Sequence, residues 1–212
     1  MLDSDAMLKS PLNGLPFSGA APPLRMRCFA ALGLEDGTSE ALRRWLDGAR
    51  AEFVELAVTP AENLHLTLAF LGEIDTGQVE SAGAAVQAAA EGRAPWRLRW
   101  TAPGAFPSAS RPRVLWLGVD GGEALREVHR ALAEALAGAG LPVEERAFRP
   151  HLTLARVRRG EISRERYREV VAHLETLPEV GPSRAVALVL YESRLGGGPA
   201  VHVPLVTAKL LG

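Results

Sequence analysis

The chain has 212 residues, and its 24 basic and 25 acidic residues leave a formal net charge of −1. With 47% hydrophobic residues, it is typical of a folded globular protein rather than a disordered or fibrous one. The near-neutral charge argues against a protein that coats long nucleic acid, because such binding neutralises many phosphates. A ligand with few phosphates remains compatible. The one cysteine, Cys28, cannot form an intramolecular disulfide.

The apolar runs of the sequence are short. None approaches the roughly 20 residues that a membrane-spanning helix needs, and the start lacks the basic segment and apolar stretch of a secretory signal. We therefore expect a cytoplasmic protein that does not bind membranes. No pattern typical of a dimer interface stands out, so we expect a monomer.

Residues 1–24 contain Gly, Pro and Ser without periodicity, which predicts a flexible N-terminal extension. Residues 25–212 are expected to form a single domain. Hydrophobic periodicity in this part predicts a mixed α+β pattern. Strands are expected over 27–32, 65–69, 96–100, 114–119, 151–155, 184–193 and 200–206, helices over 38–52, 76–91, 123–136 and 163–174, and a loop over 104–107.

One pentapeptide occurs twice: residues 65–69, His-Leu-Thr-Leu-Ala, return unchanged as residues 151–155. In an extended chain alternate side chains share a face, so His65 and Thr67 point to one side and the leucines to the other. The second copy arranges His151 and Thr153 in the same way. The repeat predicts two similar lobes whose polar faces meet across a cleft, forming a site with two histidines and two threonines.

These side chains suit acid-base chemistry at a phosphate group. A neutral imidazole accepts a proton from water, and a protonated one delivers a proton to a leaving oxygen. Threonine hydroxyls donate hydrogen bonds to a charged oxygen. Neither motif has Cys, Asp or Glu at zinc-ligand spacing, and the sequence has no glycine-rich phosphate-binding loop. We expect no metal and no cofactor.

The segments around both histidines, residues 62–73 (ENLHLTLAFLGE) and 148–156 (FRPHLTLAR), resemble the paired signatures of the two-histidine phosphoesterases. Within that superfamily the chain resembles RNA 2′,3′-cyclic phosphodiesterases of the LigT or ThpR type, historically called 2′-5′ RNA ligases. The resemblance implies two pseudo-symmetric lobes of antiparallel sheet plus helices around a central groove. It also implies metal-independent hydrolysis of RNA 2′,3′-cyclic phosphate ends to 2′-phosphates, with a weak reverse reaction that forms 2′-5′ linkages.

The same resemblance implies roles for the four repeated side chains. His65 would be the proton donor to the departing 3′ oxygen, and His151 would be the proton acceptor that activates water. Thr67 and Thr153 would bind the phosphate. The residues themselves do not decide which histidine is the acid and which the base.

Two further residues are candidates for substrate contacts. Arg156 matches an arginine that follows the second motif in the family and would contact the phosphate. Its five-residue offset from His151 places it on the opposite face of a regular strand, unless the strand bends or bulges. Phe148 could stack on a base of a single-stranded RNA end or fill the core.

Three interpretations of the site stay open at this point. The first is the RNA end phosphodiesterase, and the second is a phosphodiesterase for small cyclic nucleotides or 2′-5′ oligonucleotides. The third is a non-catalytic module that binds a nucleotide or an RNA end. The remaining histidines, His129, His173 and His202, are expected to be structural or solvated, and the four tryptophans are expected in the core.

Overall fold

The structure, a computed structural model of the chain, describes residues 24–35, 39–144, 146–158, 163–177, 182–196 and 199–212. Of the predicted extension, residues 1–24, only Leu24 is among them, so that segment and the domain limits at 25–212 stay predictions. Within the described residues the elements are β1 (Arg25–Leu34), α1 (Ser39–Glu52), β2 (Leu56–Val58), a 3₁₀ turn (Ala61–Asn63), β3 (Leu66–Asp75), α2 (Thr76–Ala90), β4 (Trp96–Phe106), β5 (Val114–Asp120), α3 (Gly122–Gly138), β6 (His151–Val157), α4 (Arg164–Glu175), β7 (Ser183–Arg194) and β8 (Val201–Lys209).

The eight strands form one antiparallel sheet that consists of two halves. One half has the strand order β3-β1-β7-β8, and the other has the order β2-β6-β5-β4. The halves join at two seams. At the first, Leu66 of β3 pairs with Leu152 of β6; at the second, residues 96–98 of β4 pair with residues 183–185 of β7. The predicted α+β fold, with two lobes of antiparallel sheet plus helices, is confirmed.

The leucines of both motifs anchor their strands in one core. Leu66 and Leu152 are fully buried, and the same core cluster extends through both lobes. Helix α2 packs against the first half of the sheet and against α3. Helix α1 contacts β2, and helix α4 contacts β4. No helix of the described part of the chain is long and apolar enough to cross a membrane. The buried residues of α3 lie at helical spacing and form one apolar stripe, which consists of Leu125, Val128, Leu132 and Leu136.

The first motif strand leads into a helix without a loop. Asp75 ends β3 and caps α2, because its Oδ1 accepts a hydrogen bond from the Gln78 backbone N–H at 2.9 Å. The Gln78 side chain accepts in return from the Asp75 N–H at 3.0 Å. This reciprocal capping box satisfies two otherwise unpaired donors at the helix start. The strand that follows His65 is therefore fixed at its far end.

One segment folds differently from its prediction, and one strand was missed. Residues 104–106 of the predicted loop 104–107 are instead the end of β4, which pairs with β5, and Pro107 follows the strand as a bend. Gly104 permits a close approach here, because the ring of Trp116 on β5 occupies the place that a Cβ would take. Strand β2, which pairs with β6, was not predicted, since three residues are too few to show a period.

Gly104→Ala is expected to destabilise the fold by about 1 to 3 kcal/mol, because the added methyl group overlaps the Trp116 ring. Urea denaturation followed by tryptophan fluorescence measures the change in the free energy of unfolding. Gly48→Ala is the matched control: apart from its chain neighbours and the backbone of its own helix, no atom lies within 4 Å of the added Cβ, and alanine favours a helix. Equal stability of the two variants would contradict the overlap.

Candidate active site

The two copies of the repeat lie side by side on one face of the sheet. The central leucines of the motifs pair in antiparallel register at the first seam, which places His65 beside Thr153 and Thr67 beside His151. All four side chains are half-buried on the side opposite the leucines. We call the surface formed by these four residues the groove face. The structure thus brings the repeated side chains together on neighbouring strands, rather than on two opposed faces as the repeat had suggested.

Each histidine of the groove face is held by the same hydrogen bond. Nδ1 of His65 lies 2.7 Å from the carbonyl oxygen of Asn63, and Nδ1 of His151 lies 2.7 Å from that of Arg149. A carbonyl oxygen only accepts, so Nδ1 carries the hydrogen in both rings. Nε2 is then the nitrogen that accepts a proton in the neutral form and delivers one in the charged form. These carbonyls were not predicted, although each lies two residues before its histidine.

Aromatic rings surround both histidines. The His65 ring packs against Phe29, with centroids 4.7 Å apart, and His202 meets it edge-on at 5.3 Å and 89°. The His151 ring is met edge-on by Phe106 at 5.2 Å and 80°. Phe29 is only 3% exposed, so one side of His65 is closed to water. The two imidazoles are therefore fixed by packing as well as by hydrogen bonds.

Two residues at this site were assigned elsewhere by the sequence analysis. Trp116 was expected in the core, but it pairs with Thr153 on the groove side and its ring centroid lies 6.2 Å from that of His151. The signal for this position was its alternation with the two buried leucines of β5. His202 was expected to be structural or solvated, yet it contacts a histidine of the groove face. No local pattern reveals that contact, because β8 and β3 are separated by two strands of the sheet.

Burial lowers the pKa of His65 from 6.5 to about 4. The charges of His202, His151 and Arg156 act in the same direction, and the hydrogen bond to the Asn63 carbonyl opposes the shift. His65 is therefore neutral in the free protein at neutral pH. A bound anion would raise the pKa again, because negative charge favours the protonated ring.

A bulge in each motif strand brings one more side chain to the groove side. In β6, Leu154 and Ala155 are both buried and Arg156 is exposed, and the pairing with β5 shifts at this point. Strand β3 repeats the pattern, with Phe70 at the position equivalent to Arg156. The extra residue shifts the alternation of side chains by one position. Arg156 therefore lies on the same side of the sheet as His151, despite its five-residue offset. This is the exception that the sequence analysis allowed for.

Phe148 lies against α3. Its ring stacks on His129 with centroids 3.8 Å apart and planes 9° apart, and it packs against the core. One ring face is thus covered, and stacking of an RNA base on Phe148 stays a prediction. His173 packs against Trp45 and Phe53, in agreement with the structural role expected for it.

The part of the chain that the structure describes has no group of three or more His, Cys, Asp or Glu side chains that could hold a metal ion. Cys28 is buried, and burial raises the pKa of its thiol to about 11, with the charge of Glu192 acting in the same direction. The thiol is therefore protonated at neutral pH. A protonated, buried thiol is a poor nucleophile.

Residues 38–195 match the family model of the 2′-5′ RNA ligase superfamily, and the chain belongs to that superfamily. A Methanothermobacter thermautotrophicus protein named RNA 2′,3′-cyclic phosphodiesterase is 28% identical, covering 88% of this chain and all of its own length. The structure of TT0787 of Thermus thermophilus matches with a TM-score of 0.70 at 26% identity, over 88% of this chain and 99% of that one. E. coli LigT in apo form matches with a TM-score of 0.65 at 25% identity, over 89% and 99%. The resemblance to two-histidine phosphoesterases of the LigT type is confirmed.

Proposed function

We propose that this protein hydrolyses the 2′,3′-cyclic phosphate at an RNA end to a 2′-phosphate, without a metal ion. The observation that carries the proposal is the groove face, where two histidines with the same protonated nitrogen lie beside two threonines. The substrate class is supported by relatives in the superfamily, such as the M. thermautotrophicus protein named above. Each lobe contributes one histidine and one threonine to this face. Two histidines suit a reaction with two proton transfers at one phosphate.

The proposed reaction exchanges one bond to phosphorus for another. Water attacks phosphorus and the bond to the 3′ oxygen breaks, which leaves a 2′-phosphomonoester and a free 3′ hydroxyl. Nε2 of His151 accepts the proton of the water, and Nε2 of His65 delivers a proton to the departing oxygen. Thr67 and Thr153 donate hydrogen bonds to non-bridging oxygens, and Arg156 adds positive charge from the same side of the sheet.

The low pKa of His65 sets a condition on its role as proton donor. The ring is neutral in the free protein, so it must gain its proton when the substrate binds. The cyclic phosphate carries a negative charge, which favours the protonated ring and opposes the effect of burial. Binding of the substrate therefore favours the protonated form of His65, which is the form that acts as proton donor.

We expect the acidic limb of the kcat/KM profile near pH 4 rather than near 6.5, the ordinary histidine value. The reaction needs one charged and one neutral ring, and a pair of rings that has bound a second proton has no base left, so activity falls as the pH decreases through the pKa of His65. Phe29→Ala exposes the His65 ring and should move the limb upward. Phe53→Ala, which removes another buried phenylalanine, should not move it. Initial rates from about pH 3.5 to 8, corrected for the folded fraction, give the limb, and a parent limb near 6.5 would contradict this expectation.

The substrate test uses the protein in EDTA with an oligoribonucleotide that ends in a 2′,3′-cyclic phosphate. Chromatography that separates 2′- from 3′-phosphate ends should show conversion to the 2′-phosphate alone. Small cyclic nucleotides and 2′-5′ oligonucleotides are assayed beside it, and preference for either of them would replace the RNA end as substrate. Binding of the cyclic end without turnover would indicate a non-catalytic module.

Joining of RNA ends through 2′-5′ linkages is the reverse of the proposed hydrolysis. We propose that it is weak, because joining must bring two dilute RNA ends together while water is abundant. We also propose that the enzyme acts in the cytoplasm as a monomer. The groove face is formed within one chain and needs no second copy. Sedimentation of the full chain tests the monomer.

A further inference from the structure

A third histidine contacts His65, and the proposed reaction gives it no role. The His202 ring meets the His65 ring edge-on, at 89° with centroids 5.3 Å apart. It also meets Phe29 edge-on, at 78° and 4.9 Å. Since Phe29 lies against His65 at 4.7 Å, the three rings pack on one another. His202 thus closes a second side of the space in which the His65 ring lies.

The segment that carries His202 is tied to the turn that holds His65. The side-chain amide of Asn63 donates a hydrogen bond to the carbonyl oxygen of Ala200 at 2.8 Å, two residues before His202. The backbone carbonyl of the same Asn63 accepts the hydrogen bond from Nδ1 of His65 at 2.7 Å. A closed path of contacts therefore runs from His65 through Asn63 and Ala200 to His202, and back to His65.

We propose that His202 is a positioning residue for His65, and that Asn63 holds the segment that carries it. The inference rests on the proposed function, since it assigns His202 to the same reaction. One hydrogen bond at Nδ1 does not by itself fix the side-chain torsions of His65, and a rotation about χ1 or χ2 moves Nε2 away from the leaving oxygen. Rings on two further sides prevent this rotation, and proton transfer is sensitive to such displacements.

His202 acts through the shape of its ring. Its Nδ1 is buried without a hydrogen-bond partner among the residues that the structure describes. The corresponding edge-on neighbour of His151 is Phe106, a ring of similar shape without an ionisable group. His151 thus already has an edge-on phenylalanine as its neighbour, and His202→Phe would place the same kind of ring beside His65.

The test compares His202→Phe with His202→Ala. We expect His202→Phe to keep kcat within about twofold of the parent, and His202→Ala to lower kcat by about 10- to 100-fold with little change in KM. His173→Phe is the matched control, because His173 also packs against two aromatic rings but lies away from the groove face. A parental kcat for His202→Ala would overturn the proposal. So would an equal loss in His202→Phe and His202→Ala, because the imidazole itself would then be required.

The role of Asn63 is tested by a double-mutant cycle. Asn63→Ala removes the hydrogen bond to Ala200 and leaves the backbone carbonyl in place. We expect it to lower kcat in the same direction as His202→Ala, and the double variant to lose little more than His202→Ala alone, since both changes release the same ring. Fully additive losses would overturn the link between the two residues.

A measurement without substrate separates this inference from the proposed function. ¹⁵N NMR of the histidine rings at neutral pH should show His65 with its hydrogen on Nδ1 in the parent and in His202→Phe. In His202→Ala the ring reorients, and its two nitrogen shifts should move toward a common average. Unchanged shifts in His202→Ala would overturn the positioning role. If the parent fails to hydrolyse the cyclic phosphate, the proposed function fails while this measurement still decides whether His202 positions His65.

Discussion

Replacing either histidine of the groove face by alanine is expected to lower kcat/KM on an RNA 2′,3′-cyclic phosphate end by about 10²- to 10⁴-fold. His65→Ala removes the proposed proton donor, and His151→Ala removes the proposed acceptor. The two transfers serve one displacement at phosphorus, so the double variant should lose little more than the more impaired single variant. Single-turnover assays with enzyme in excess measure rates this slow.

His173→Phe serves again as the control histidine, with parental activity expected. Thermal unfolding of each variant shows whether the fold is kept, which we expect because the groove-face histidines are half-buried and lie outside the leucine core. A loss below about tenfold in one alanine variant would assign that histidine to binding rather than to proton transfer.

A substrate with sulfur in place of the bridging 3′ oxygen separates donor from acceptor. A thiolate leaves without a proton, because a thiol such as that of cysteine has a pKa of only about 8.5. His65→Ala should therefore regain most of its activity on this substrate. His151→Ala should regain none, since the water still needs a base. The opposite result would exchange the two roles, a chemically sound outcome given that His65 is neutral in the free protein.

The fold could be predicted wherever the residues of a single helix or strand show its hydrophobic period or its capping residue. The stripe of α3 is visible at helical spacing, and the helix predicted from residue 163 does begin there, with Ser163 capping α4. The end of β4 was missed for a physical reason. A glycine beside a proline is usually typical of a loop, and only the Trp116 ring on the paired strand explains why Gly104 lies in a sheet.

The site could be predicted as far as the repeat extends. The two His-Leu-Thr copies predict four side chains that the structure brings together, while the roles assigned to them stay predictions. A bulge before Arg156 was allowed for but could not be predicted, because a strand's period of two does not show where one extra residue is inserted. His202 escaped because its neighbours come from β1 and from the turn before β3, far away in sequence.

Thr67→Val and Thr153→Val are each expected to lower kcat by about 10²- to 10³-fold. Valine keeps the β-branched shape and removes only the hydroxyl, so the strands should keep their packing. In the proposed reaction the hydroxyls donate to non-bridging oxygens, whose charge is distributed differently as water adds and the 3′ oxygen leaves. Donors that meet this charge in the transition state affect kcat more than KM. Steady-state kinetics on the cyclic-phosphate RNA separates the two constants.

Two comparisons make this prediction specific to the hydroxyl. Thr67→Ser restores an O–H donor and should recover most of the activity lost in Thr67→Val, whereas Thr207→Val, at an exposed position of β8, should change nothing. If the threonines hold different oxygens of the same phosphate, the losses in the double variant multiply, because the two interactions are independent. A rise in KM with kcat unchanged would instead show that the hydroxyls bind substrate and transition state equally. Catalysis would then rest on the histidines alone.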